Sequence, residues 1–98
     1  MLETLTHESF EPHVGTEFTV SVGEYDDVFT LTEVSARKPI PGFERVPFAL
    51  IFQGTRTDLF FNSQALEFRH PVMGTIAMMM SPLGPDQTGA YRYEVVFS

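Results

Sequence analysis

Hydrophobic and polar residues alternate along most of this chain. In "EFTVSV" Phe18, Val20 and Val22 fall on one side and Glu17, Thr19 and Ser21 on the other. "FTLTEV" alternates through Phe29 and Leu31, "ALEFRH" (65–70) through Leu66 and Phe68, and "YRYEVVF" through Tyr91, Tyr93, Val95 and Phe97. A period of two is the mark of strands with one buried face. "FALIFQ" (48–53) is apolar on both faces and predicts a central strand or one covered on both sides. "TIAMMM" (75–80) continues the pattern, with Ile76, Met78 and Met80 on one face and Ala77 and Met79 on the other.

The connections follow from the punctuation. Pro12, Pro39, Pro41, Pro47, Pro71, Pro82 and Pro85 all lie outside these runs, as ladder pairing requires of residues without an N–H. "HPVMG" (70–74) predicts a tight turn: Pro71 pre-sets its first corner and Gly74 takes positive φ, so that 66–70 and 75–80 form a hairpin. "GEYDD" (23–27) joins the first two strands, while 35–47 and 81–90 read as flexible loops. Only the N-terminus reads as helical. Thr6 is its N-cap, Pro12 and Gly15 end it within about two turns, and Phe10 and Val14 pin it to the sheet. The expected fold is all-β, a small antiparallel six-stranded barrel or sandwich with one short N-terminal helix, built from residues 1–98 as a single domain.

Composition narrows the function classes. The chain has no cysteine, which excludes disulfides, thiolate metal sites and thiol nucleophiles. Its net charge is −7, and the first 36 residues carry eight acidic side chains and no Lys or Arg. Phosphate backbones and anionic lipid surfaces call for clustered cations, so neither nucleic acid nor membrane is the expected partner. The start, "MLETLTHESF", lacks the basic and apolar regions of a signal peptide, and no apolar run reaches membrane-spanning length; the protein is expected to be cytoplasmic as synthesised.

Three constellations could carry chemistry. The methionines split into two plus one across a strand; a copper(I) site needs converging soft ligands, and His70 could join Met78 and Met80 only across the hairpin. Methionine also fills core gaps and packs on aromatic rings, of which the chain has thirteen Phe and Tyr. Glu24, Asp26 and Asp27 cluster without the spacing of a calcium loop and read as a solvated turn. His7, Glu8 and Ser9 are consecutive and do not face one another on a helix, and no nucleophile motif occurs, so no enzyme and no cofactor are expected. "ARKPIPGFER" is the best contact segment. It sets Arg37, Lys38 and Arg45 beside Ile40 and Phe43, and arginine next to an aromatic anchor is typical of interface hot spots. Phe60 and Phe61 form a second candidate pair.

The order of signals adds a resemblance. F-x-P-x-x-G-x-x-F (Phe10, Pro12, Gly15, Phe18), H-P-x-x-G (His70, Pro71, Gly74), P-x-G-P-D (Pro82, Gly84, Pro85, Asp86) and Y-E-x-x-F (Tyr93, Glu94, Phe97) resemble a family of small bacterial all-β domains of unknown function. The resemblance covers nearly the whole chain. It implies a compact β domain without an assigned activity, associated with phage-tail-collar-like proteins. "DLFFNSQAL" (58–66) departs from the family pattern, so the resemblance gives Phe60 and Phe61 no role. The expected function is that of a noncatalytic structural or protein-interaction module, an accessory of a phage-tail-like or extracellular fibre assembly. Its partner would be another protein such as a tail-fibre or collar-like protein, and the chain itself a monomer or weak homo-oligomer. The alternative is a small-ligand or soft-metal carrier with its site at a barrel mouth near Met78, Met80 and His70.

Overall fold

The computed structural model describes residues 5–42 and 46–98. A short helix α1 (His7–Phe10) runs into a 3-10 turn (Glu11–His13). Six strands follow: β1 (Glu17–Val22), β2 (Tyr25–Ala36), β3 (Phe48–Gln53), β4 (Gln64–His70), β5 (Gly74–Pro85) and β6 (Tyr91–Phe97). They close into an antiparallel barrel in the order β1-β2-β3-β6-β5-β4. Of the two expected architectures the barrel is the one adopted.

The alternation determines what fills it. Phe18 and Val20, Phe29 and Leu31, Phe48, Leu50 and Phe52, and Phe68 are fully buried and point inward. Ring pairs knit opposite walls: Phe48 stacks on Phe97 at 4.5 Å, Phe29 on Tyr93 at 4.4 Å, and Phe18 meets Phe52 edge-on at 5.4 Å. Met78 and Met80 are buried in this aromatic interior, while Met79 faces out. β3 is covered on both sides as expected, because outward-facing Ala49 is also buried between its neighbours on β2 and β6, Ser35 and Val96.

The barrel has two distinct ends. At the upper end lie α1, residues 37–42 and the His70–Gly74 turn, which closes with Gly74 at φ +79°. Thr6 caps α1; its N–H donates to the Ser9 hydroxyl at 3.0 Å, and the Ser9 N–H donates to the Thr6 carbonyl at 2.9 Å. Phe10 drops from the helix into the barrel mouth against Phe48 and Phe97. Val14, expected beside it, is instead 45% exposed, because the 3-10 turn rotates it away from the sheet. At the lower end lie the tight Gly23–Glu24 turn, the irregular segment 54–63 and the 86–90 loop.

Two strands are longer than the alternation suggests. β2 begins at Tyr25 and reaches Ala36, serving β1 with its first half and β3 with its second across a bulge near Thr32. Most of "GEYDD" is therefore strand, and Ser35 and Ala36 leave the loop that followed them. β5 continues to Pro85, so Pro82 and Pro85 stand inside a strand. The register shifts between Pro82 and Gly84. A bulge is where a sheet tolerates residues that cannot donate.

The closure is uneven. β4 and β5 pair over seven residue pairs, from Gln64–Met80 to His70–Gly74, whereas β1 and β4 share one bridge, Thr19–Arg69. The lower end is tied differently. The buried Asp27 carboxylate accepts the Thr55 N–H at 2.9 Å and the Val28 N–H at 2.7 Å. Gly54 makes room for it, since a Cβ there would lie 2.7 Å from Asp27 Oδ2.

Candidate functional site

Buried aromatic and aliphatic side chains occupy the barrel interior, and two hollows lie on the outer surface. A groove of about 740 Å³ crosses the β1–β4 seam. Its floor is made of outward-facing residues at one level of three adjacent strands: Val28 on β2 pairs with Thr19 on β1, which pairs with Arg69 on β4. Past Arg69 toward the lower end a second hollow of about 330 Å³ continues to Asp26, Asp27 and Thr55. Thr19, Val28 and Arg69 line both, so the two form one trough along the seam. The Arg69 guanidinium donates to the Ser21 hydroxyl at 2.8 Å, and no carboxylate among the described residues stands within ion-pair distance of it.

The upper wall is built around His70. Its Nδ1 accepts the Val72 and Met73 N–H groups at 3.0 and 3.2 Å, and its Nε2 lies 3.0 Å from the Thr16 hydroxyl. These bonds define a neutral ring protonated at Nε2, with Thr16 passing its own hydrogen to the His13 carbonyl at 2.6 Å. The ring packs on Phe18, and His13 meets it edge-on with centroids 4.8 Å apart. Burial, reinforced by His13, pushes the His70 imidazole below its ordinary pKa. His70 is thus the peg of the β4–β5 turn.

At the lower end of the barrel two aromatic side chains are half-exposed. Tyr25 is 50% exposed, with the Arg56 guanidinium 5.4 Å above its ring. Arg56 is held by Asp58 at 2.7 Å. Phe60 is 47% exposed and leans on Tyr91 at 5.1 Å. Its neighbour Phe61 is not a surface residue: only 4% is exposed, its ring joins Phe29, and its N–H donates to the Tyr93 hydroxyl at 3.1 Å. Of the two residues expected as a contact pair, Phe60 is exposed and Phe61 is buried. In the irregular segment 54–63 one ring anchors the backbone and leaves the other outside.

The other expected contact residues are scattered. Arg37, Lys38 and Ile40 are exposed at the upper end, following the Ala36–Phe48 pair, with Arg37 3.9 Å from Glu94. Phe60 sits at the opposite end, so the two sets do not make one surface. Phe43 and Arg45 lie outside the described residues. The soft-ligand set does not converge either. Met80 pairs with Gln64, six residues along β4 from His70, which is about 20 Å of strand. Among the described residues no three His, Asp or Glu side chains come together to hold a metal ion. Asp27, expected in a solvated acidic turn, is an internal staple. Tyr25, Arg56, Thr19 and Arg69 carried no mark in the sequence, because their proximity is made by pairing between distant strands. Among the described residues no helix is long and apolar enough to cross a membrane.

Fold and surface together define a small, filled antiparallel β-barrel whose accessible features are an outer trough and an aromatic rim. The chain belongs to the family described as Domain of unknown function (DUF6916), whose model matches residues 5–97. No curated protein and no solved structure matches it.

Proposed function

We propose that this domain is a noncatalytic protein-interaction module that recognises its partner with the exposed side chains of its lower end. The observation that carries this reading is the buried aromatic core, with Phe10 packed in at the upper end and Phe61 and Tyr93 at the lower, beside aromatic and arginine side chains left exposed outside it. The rim offers Tyr25, Arg56 and Phe60, half-exposed and held in place by Arg56–Asp58 and Phe60–Tyr91 contacts. Aromatic and arginine side chains with restricted freedom lose little entropy on binding and recur as interface hot spots. Arg56 and Phe60 project from an irregular segment on a rigid scaffold, the usual place for recognition, and Tyr25 begins β2. The first partner class to test is the fibre- or collar-like protein suggested by the sequence resemblance.

The test uses the tagged full chain as bait in lysate of the native cell, beside Tyr25→Ala and Phe60→Ala. The expected outcome is a stoichiometric protein partner that either variant loses, with both variants keeping the parent's urea midpoint to within the effect of a surface change. Capture undiminished by both variants would move the interface off the rim. The carrier alternative is the weaker reading, because Met78 and Met80 are packed in the core away from His70.

A further inference from the structure

We infer that His70 is an acid-operated latch: its protonation frees the β4–β5 turn and unclasps the upper part of the β1–β4 seam, while the other five strand contacts stay paired. Little else holds that seam. Its ladder is the single bridge Thr19–Arg69, and Arg69 is next in sequence to His70. Among the described residues, the side-chain hydrogen bonds that join β1 and its approach to β4 are Arg69–Ser21 at 2.8 Å and Thr16–His70 at 3.0 Å. His70 therefore supplies the tie above the bridge, and its ring also packs on Phe18 and His13 from the other side of the seam. The same ring holds the turn, because Val72 and Met73 both donate their N–H groups to Nδ1.

A proton on Nδ1 is incompatible with this arrangement. It turns the acceptor shared by two backbone N–H groups into a third donor. It also puts a charge on a side chain that is only 7% exposed and whose hydrogen-bond partners are all neutral. The titratable or charged side chains around the ring are His13 on the 3-10 turn, Glu17 on β1 and Arg69 on β4. The turn residues Pro71, Val72 and Met73 and the first residues of β5, Gly74 and Thr75, carry none. Glu17 is the one carboxylate in the group, and it forms no ion pair with His70. Burial and the neighbouring His13 both disfavour the imidazolium. The charged ring therefore leaves for solvent, and the turn, the Thr16 tie and the Phe18 packing go with it. The β1–β2 and β3–β6 ladders and the β4–β5 ladder below the turn are held by backbone groups that do not involve the imidazole.

The experiment follows the full chain by NMR from about pH 7.5 to about pH 4.5, a range that brackets the ordinary imidazole pKa. It records imidazole nitrogen shifts, amide shifts, and amide hydrogen exchange corrected for the intrinsic chemical rate. At the neutral end His70 should be the Nε2–H tautomer. As it titrates, the Val72 and Met73 amide shifts should move with the same midpoint. Opening read at Thr19 and Arg69 should rise by up to about tenfold per unit of pH from about 6.5 down to the His70 midpoint, and level off below it. Leu50 and Val95, partners on the β3–β6 pair, should keep their protection. His70→Gln, which keeps an acceptor beside the turn but cannot titrate, should abolish the pH dependence. An Nδ1–H tautomer at the neutral end would overturn the latch, as would turn amides that ignore the His70 midpoint. Loss of protection spread evenly over all six strands, or a seam in His70→Gln that still opens with acid, would overturn it too. The readouts on the parent protein decide the matter even where the variant does not fold.

Discussion

His70 joins two parts of the chain that are far apart in sequence: the approach to β1, through His13 and Thr16, and its own β4–β5 turn, through two backbone N–H groups. Protonation at Nδ1 would turn an acceptor into a donor facing two donors. Because its pKa is lowered on folding, the unfolded chain binds more protons between the folded value and about 6.5. Stability therefore rises with pH across that window. Its contribution is complete above about 6.5, is lost as pH falls toward the folded pKa, and levels off below it. Urea denaturation from pH 5 to 8 should show this slope in the parent and a flatter one in His70→Gln. The residues that face His70 and bear charge are His13, Glu17 and Arg69, so the comparison isolates the imidazole within that group. None of this was visible in "HPVMG", which announced a turn through its proline and glycine but gave no sign that the histidine holds it closed.

At the scale of elements, α1 works as a stopper. Four residues cannot sustain a helix in water, and what keeps this one is Phe10, fully buried between Phe48 and Phe97. Phe10→Ala should cost about 3–5 kcal/mol. Chemical denaturation would read the loss, and Phe48 and Phe97 should exchange solvent faster in the variant. The helix was legible because capping residue, breaker and aromatic come in one local run. β5 was less so. Proline reads as a strand terminator, and "SPLGP" contains two. The bulge around Leu83 lets the strand pass both, and that accommodation depends on β6, not on anything local. β2 posed the same problem: Ser35 and Ala36 are poor strand formers taken up by pairing with Ala49 and Phe48.

Across the whole molecule, the fold class followed from alternation alone, since each strand's inward face is written in its own residues. The outer trough did not. Thr19, Val28 and Arg69 come together through the β1–β2 and β1–β4 registers, and register between strands fifty positions apart has no local signature. The same holds for Tyr25 and Arg56, which meet because Asp27 draws Thr55 down onto β2. Phe60 and Phe61 were read together as neighbours, yet strand-like alternation at the end of an irregular segment sends one inside and the other out.

The single Thr19–Arg69 bridge also has a kinetic meaning. Five of the six strand contacts form ladders, and three of those are hairpins or near-hairpins that can assemble early. The sixth must bring together segments separated by the length of half the chain, with little hydrogen-bond gain to offset loop closure. The barrel should thus zip as a curved sheet and clasp last, and the clasp should be the first part to open. Native-state hydrogen exchange would show this as amides of β1 and β4 along the seam exchanging through a subglobal opening, well before those of the β4–β5 hairpin. Uniform protection around the barrel would mean that side-chain packing across the seam, rather than the ladder, sets the order of events. Anything that seats itself across the seam would therefore couple its own capture to completion of the fold.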